Sequence, residues 1–283
     1  MTVVLPLAVL IVLSAILSIY SKKTLNNGIH PLVLLTFSSI LVGLFLLPII
    51  YIWAEQIQNI RIIFLIAIAS GFHFLAALLI NKSIQLSELS FITAFTSFTS
   101  IFGLLFSIIL FKDYPTFAGL LGVLIIVSGA FLIHGPERNI QNIKPIFFRI
   151  IGSMFIALSA AVIKISFKDL NYIISTGLLW VFLALFSAPV LICFVKNNKK
   201  HREILVKNLN LLILVSFLAI SVSVLTIYLF GKTNIGYVYA FLQLSIIFTI
   251  LLSKKMLNEI KYARRIIPAI VMILGMIIIY YLG

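Results

Sequence analysis

Few side chains in this 283-residue chain could perform acid–base, nucleophilic or metal-ion chemistry. The single cysteine, Cys193, excludes an internal disulfide and a cysteine-based metal cluster. The sequence contains no glycine-rich phosphate loop followed by Lys and Ser/Thr, and no His, Cys or carboxylate cluster has metal-ligand spacing. It therefore predicts no enzyme activity, no cofactor and no metal site.

The seven carboxylates lie at the ends of apolar segments or in the polar stretches between them: Glu55, Glu88, Asp113, Glu137, Asp169, Glu203 and Glu259. Exporters of lipophilic cations typically bury an acid within the membrane as counter-ion and proton carrier. This distribution therefore argues against a site for small cationic drugs, although an aromatic cage could still hold a quaternary ammonium group.

His73 and Lys164 are ionisable residues inside apolar segments. His73 is central in residues 62–80, where a polar side chain should face other helices; it could bind a substrate, relay protons or make a structural hydrogen bond. Lys164 lies about one turn from the end of residues 146–167. It could attract a carboxylate or phosphate, or extend its amine to the membrane interface.

Hydroxyl side chains recur every three, four or seven residues in segment 89–111 and so share one helix face. The corresponding segment, 236–252, contains Tyr239 and Gln243. Such residues form either a polar cavity wall or a close helix contact, but Gln and Tyr are too large for close packing. We therefore predict that Thr93, Ser97, Tyr239 and Gln243 line a cavity and bind a substrate together with His73 and Lys164. Weaker candidates are Ser14, Ser18, Trp180, Ser223 and Tyr228.

The composition requires a lipid environment, because 63% of the residues are hydrophobic and only 10% are charged, whereas a soluble domain carries about 25% charged residues. Crossing the hydrocarbon core takes roughly 20 apolar residues. Ten segments qualify, and we predict an all-α polytopic membrane protein with ten transmembrane helices. They are residues 3–20, 32–53, 62–80, 89–111, 117–134, 146–167, 173–195, 209–230, 236–252 and 266–282.

The net charge of +14 is explained by membrane topology, and no nucleic-acid partner is predicted. Most of the Lys and Arg residues follow the odd-numbered segments, which predicts cytoplasmic odd-numbered loops and outside termini. The chain is thus expected in a cell (inner) membrane, with the lipid bilayer and a small-molecule substrate as its partners.

The two halves of the sequence resemble each other. Leu13-Ser14-Ala15 aligns with Leu158-Ser159-Ala160, Asp113 with Glu259, and Gly129 with Gly275. Because each half has an odd number of spans, residues 1–138 and 139–283 would form two inverted five-helix repeats. Inverted repeats are typical of transporters with a binding site at the membrane midplane.

The endings of both halves resemble the EamA type of the drug/metabolite transporter superfamily. They read Phe111-Lys112-Asp113 followed by Gly119 to Gly129, and Leu257-Asn258-Glu259 followed by Ile266 to Gly275. The usual Gly-Glu of that turn and a Trp-Gly in the first span are missing. The resemblance implies a ten-helix basket in which spans 1–4 and 6–9 enclose a cavity, and alternating-access movement of a small organic solute without ATP hydrolysis. Eukaryotic relatives have cytosolic termini, which differs from the orientation predicted by the charges.

We predict a secondary transporter of a small polar organic metabolite, such as an amino acid or another carboxylate. One alternative is a flippase for a lipid-linked sugar or polyprenyl phosphate, for which basic loops on one face would suit an anionic headgroup. A lipid-facing groove beside the cavity would favour it. A non-transporting membrane scaffold is a third alternative, and it would need no polar cavity.

Overall fold

The computed structural model describes residues 4–53, 59–132, 143–196, 199–257 and 266–282, and every regular element in these ranges is helical. The all-helical fold class is therefore confirmed. The elements are α1 (Val4–Asn26), α2 (Pro31–Ile52), α3 (Ile60–Leu86), α4 (Leu89–Ile92), a 3-10 helix (Thr93–Ser97), α5 (Phe98–Phe111), α6 (Phe117–Leu132), α7 (Lys144–Ser166), α8 (Tyr172–Lys196), α9 (Lys199–Lys207), α10 (Leu209–Phe230), α11 (Ile235–Leu242), α12 (Ser245–Leu257) and α13 (Ile266–Leu282).

Within the described ranges, six helices are long and apolar enough to cross a membrane: α1, α2, α3, α7, α8 and α10. Four shorter apolar stretches, Phe95–Phe111, Phe117–Leu132, Ile235–Thr249 and Ile270–Leu282, coincide with the other four predicted spans. The count of ten crossings stays a prediction. Two details differ from expectation: segments 89–111 and 236–252 are each divided into two helices, and α9 forms in what was expected to be a basic loop.

Side-chain caps mark the start of two helices, and a left-handed backbone conformation marks the end of another. His30 precedes α2 and its Nδ1 accepts a hydrogen bond from the Leu32 amide at 3.2 Å. Asn234 precedes α11 and its Oδ1 accepts from the Gly236 amide at 2.8 Å. These caps satisfy amides that have no partner within the helix. Lys112 ends α5 in the left-handed region at φ 54, a conformation common just after a helix.

The helices pack in a recurring pattern across the two halves of the chain. Helix α3 packs along α7, and α10 packs along α1. Helix α5 also contacts α7, and α12 contacts α1. Helix α8 packs on α2 and α3, α10 also packs on α2, and α6 pairs with α13. The central bundle is therefore assembled mainly from contacts between the halves.

The α6–α13 pair depends on the close approach of two glycines. A Cβ atom on Gly122 would lie 2.8 Å from the carbonyl oxygen of Gly275, and one on Gly275 would lie 2.7 Å from that of Gly122. Small residues allow such approach between helices in lipid, where apolar surface gains little from helix contact and packing supplies the attraction.

We predict that Gly275→Ala lowers the thermal unfolding temperature of the detergent-solubilised protein, because the added methyl group must push α6 and α13 apart. The expected destabilisation is about 1–3 kcal/mol. The matched control is Gly71→Ala in α3, where an added Cβ meets nothing within 4 Å and helix propensity favours alanine by about 1 kcal/mol. Equal effects of the two substitutions would contradict this account of the contact.

Candidate functional site

Two interrupted helical segments meet inside the bundle. The 3-10 helix Thr93–Ser97 separates α4 from α5. Between α11 and α12, the amides of Gln243 and Leu244 donate to the carbonyls of Ala240 and Phe241, both at 3.0 Å. These bonds reach back three residues instead of four, so the helix tightens locally. Each interruption leaves backbone groups that need partners from neighbouring elements.

The Gln243 side chain connects the two interruptions. Its Nε2 donates to the backbone oxygens of Tyr239 at 3.0 Å and Thr96 at 3.2 Å. The hydroxyl of Thr96 donates to Gln243 Oε1 at 2.9 Å. Because the amide is only 2% exposed, these bonds form in a medium without competing water. Gln243 therefore links the two halves of the chain through hydrogen bonds.

A cavity of about 270 Å³ lies beside this junction. Six helices, α1, α3, α7, α8, α10 and α11, contribute to its wall. The lining residues are Leu17, His73, Ile156, Ser159, Ala160, Ile163, Leu179, Trp180, Ala219, Val222, Ser223, Thr226, Ile227, Phe230, Tyr239 and Leu242. Many of them belong to the second half of α7 and of α10, and Tyr239 and Leu242 belong to the second turn of α11. The cavity thus extends from mid-bundle toward the end where α7 and α10 terminate.

A few polar groups converge on the otherwise apolar cavity wall. The rings of His73 and Trp180 lie 5.9 Å apart between centroids. The buried Nε1 of Trp180 has no hydrogen-bond acceptor among the described residues. The Tyr239 hydroxyl donates to the Ile156 carbonyl at a long 3.5 Å, and its ring packs against Phe230. The described residues of the lining include no carboxylate, Lys or Arg, so the cavity suits the uncharged, partly apolar part of a molecule that carries hydrogen-bond acceptors.

The structure brings together two of the six residues predicted to bind a substrate, His73 and Tyr239, in the cavity wall. Thr93, Ser97 and Gln243 lie instead at the helix interruptions, where all three are buried. Substrate binding by these residues stays a prediction.

Lys164 belongs to a polar junction at the end of α7. Its Nζ donates to the Thr233 carbonyl at 3.2 Å and lies 3.9 Å from Asp113 Oδ2. Asn234 Nδ2 donates to the same carboxylate oxygen at 3.0 Å. Lys164 therefore connects the ends of α5 and α7 to the start of α11, outside the cavity lining.

Among the weaker candidates, Trp180 and Ser223 line the cavity. Ser18 donates to the Ser14 carbonyl at 2.9 Å within α1, and Tyr228 packs its ring against Tyr172. Sequence reasoning missed Ser159 and Thr226 as lining residues. Signals for both were present, because Ser159 lies in the repeated Leu-Ser-Ala block and Thr226 lies three residues after Ser223, on the same helix face.

The family model described as "EamA-like transporter family" matches residues 2–135 of the chain. The resemblance to this family is confirmed. The EamA match covers the first half of the chain. Similarity of fold extends over both halves, because a solved structure titled "Crystal structure of protein" superposes on the chain with a TM-score of 0.71. That superposition covers 98% of this chain and 96% of the other at 11% sequence identity. No curated protein matches the chain. The chain is a multi-pass helical membrane protein whose first half is similar to the EamA-like transporter family.

We predict that Gln243→Leu, which preserves volume but removes the amide, lowers the unfolding temperature. The Thr96 carbonyl loses the hydrogen bond from Gln243, and the Thr96 hydroxyl keeps only the Thr93 carbonyl as acceptor, at an expected loss of about 1–3 kcal/mol. Affinity for a ligand bound in the cavity should remain unchanged in the protein that is still folded. Measuring unfolding temperature and ligand affinity in parallel separates these effects, and a large loss of affinity with unchanged stability would make Gln243 a binding residue.

Proposed function

We propose that the chain is a secondary transporter that moves a small organic metabolite by alternating access between two inverted five-helix repeats, residues 1–138 and 139–283. The helix pairings support the repeat, because exchanging the halves converts one set of contacts into the other. Thus α3 with α7 corresponds to α10 with α1, and α5 with α7 corresponds to α12 with α1. The proposed location is a cell (inner) membrane with cytoplasmic odd-numbered loops.

The observation that carries the proposal is the cavity, which lies in an apolar bundle yet contains His73, several hydroxyls and the indole N–H of Trp180, for which the described residues supply no acceptor. A membrane scaffold has no need for such groups, since burying them without partners is costly. The volume of about 270 Å³ falls near the lower limit of small-molecule sites. A metabolite of amino-acid size is the proposed substrate class, and a carboxylate on it would be bound by a group outside the described lining, which carries no charge.

Alternating access would use the unequal packing of the two ends of the bundle. The cavity lies toward the end where α7 and α10 terminate, and Lys22 ties α1 to α3 at the opposite end. Its Nζ donates to the carbonyls of Ile84 and Ser87, both at 2.8 Å. We propose that the repeats rock about the junction of interrupted helices. This motion would close the end where α7 and α10 terminate and open the opposite end, where Lys22 lies.

A second candidate, the flippase for a lipid-linked sugar or polyprenyl phosphate, is favoured by a groove of about 380 Å³ between α2 and α10. Its wall is apolar and includes the exposed rings of Phe45 and Phe217, whose centroids lie 6.1 Å apart. Helix α10 contributes to both groove and cavity. A hydrocarbon tail in the groove with its headgroup in the cavity would fit this arrangement.

Intrinsic fluorescence offers a direct binding test, because the chain has two tryptophans. In the variant Trp53→Phe, Trp180 in the cavity wall is the remaining reporter. We expect saturable fluorescence changes on titration with at least one soluble metabolite from a panel of amino acids, organic phosphates, nucleotide sugars and choline-like amines. The matched control is Trp180→Phe, which retains only Trp53, 43% exposed, and should not respond.

A metabolite identified in this way should also exchange across liposomes that contain the protein. A response limited to short polyprenyl phosphates would support the flippase instead. If Trp180 responds to no compound and no flux is measured, the proposal of a transport cavity is contradicted.

A further inference from the structure

One arginine lies inside the bundle in a place the cavity does not explain. Arg149, in the second turn of α7, is only 6% exposed. Its Nε and Nη1 have no hydrogen-bond partner among the described residues. An arginine serving only as a marker of membrane orientation would extend its guanidinium toward water. Arg149 instead remains enclosed by protein, at the end of the bundle opposite the cavity.

The helical repeat places Arg149 in line with the cavity wall. Helix α7 lines the cavity with Ile156, Ala160 and Ile163, which follow one another at intervals of four and three residues. Continuing the same spacing toward the start of α7 gives Ser153 and Arg149. Residues seven apart share a helix face, and seven residues span about 10 Å. Arg149 therefore lies on the cavity-lining face, about 10 Å below the cavity.

Ser153 shares the unusual environment of Arg149. It is fully buried, and its Oγ also has no hydrogen-bond partner in the described part of the chain. Between the two residues, Gly152 packs tightly on α3, since an added Cβ would lie 2.8 Å from Ile80 Cγ1. The polar pair is therefore held on a closely packed, well-defined helix.

The pair is not required by the repeated architecture. At the offset that aligns Leu13-Ser14-Ala15 with Leu158-Ser159-Ala160, Arg149 corresponds to Val4 and Ser153 to Ala8. Val4 and Ala8 are apolar and exposed on the outside of the bundle. A charged group buried without a partner is strongly unfavourable in an apolar medium. Nε and Nη1 of Arg149 and the Ser153 hydroxyl are buried on one face with no partner among the described residues, and together they form a site suited to an anionic oxygen ligand.

We propose that Arg149 and Ser153 form an anion-binding subsite on the transport path and bind the carboxylate or phosphate of the transported molecule. The guanidinium can donate two parallel hydrogen bonds to either group, and the serine hydroxyl can donate a third. The cavity, which has no charged lining residue, accepts the uncharged part of the same molecule. This inference rests on the proposed transport function and specifies its substrate class as organic anions.

The test compares an anion with its neutral counterpart. Unfolding temperatures of the purified protein are measured against increasing phenylacetate, phenylacetamide and phenyl phosphate, because bound ligand stabilises the folded state. We expect the two anions to stabilise the wild type more strongly than the amide. Arg149→Gln should weaken anion affinity by roughly 10- to 100-fold, which is the range for losing a charged hydrogen bond, and leave amide affinity unchanged.

Two further variants serve as controls, one for a folding defect at position 149 and one for a general effect of losing a positive charge. Arg149→Lys retains the charge but not the paired geometry, so its affinity for the anions should be intermediate. Arg61→Gln removes the same charge from an exposed position and should bind the anions as the wild type does. Failure of the two soluble anions and of phosphatidylglycerol to stabilise the wild type, or equal losses in Arg149→Gln and Arg61→Gln, would overturn the proposal.

The source of the anionic group is distinguished by a lipid arm, in which detergent micelles contain phosphatidylglycerol or phosphatidylcholine. Stabilisation by soluble anions that depends on Arg149 supports a free metabolite. Stabilisation by phosphatidylglycerol alone supports the subsite but assigns it to a lipid headgroup. The proposed function can fail separately, because Trp180 fluorescence and liposome flux report on the cavity whether or not Arg149 binds an anion.

Discussion

In an apolar solvent, the backbone and side-chain polar groups of a helix bundle must find partners within the protein. The contact between Thr96 and Gln243 shows how this requirement organises the chain. Both residues lie at interruptions, where the ordinary helical hydrogen bonds are incomplete. Their mutual hydrogen bonds at 2.9 and 3.2 Å can form only if the two interrupted segments meet. The meeting point holds the halves together and lets α11 present Tyr239 to the cavity.

Polar groups in the membrane-spanning part thus divide by their hydrogen bonding. Ser39 and Ser187 satisfy each other at 3.1 Å between α2 and α8, and Ser70 donates to the Leu179 carbonyl at 3.1 Å. Such pairs stabilise helix contacts in lipid. Several buried polar side-chain atoms have no hydrogen-bond partner in the described part of the chain, and they include Nε1 of Trp180 and Nε and Nη1 of Arg149. These two residues lie on the face that surrounds or continues the cavity. Their unmet hydrogen bonds suit a ligand that passes between them.

Much of the architecture follows from composition and periodicity, because apolar segments of membrane length leave the backbone no alternative to helices. The position of His73 in an apolar segment also predicted that its side chain faces other helices; His73 lies in the cavity wall. Gln243 illustrates the limit of such reasoning. Its size argued for a cavity, but whether its amide faces a ligand or Thr96 depends on a contact 147 residues away in sequence. The burial of Arg149 was not predicted, because it depends on how α3 and α7 pack.

The most direct test of the central claim, a water-accessible cavity inside the bundle, is thiol labelling in a Cys193→Ser background. A membrane-impermeant, water-soluble thiol reagent is applied to Ser223→Cys, in the cavity wall, and to Ser187→Cys, fully buried in the α2–α8 contact. The account predicts rapid labelling of the first variant, slowed by a bound substrate, and no labelling of the second. If neither variant reacts, or if both react equally, the cavity is not a route for a solute and the account is contradicted.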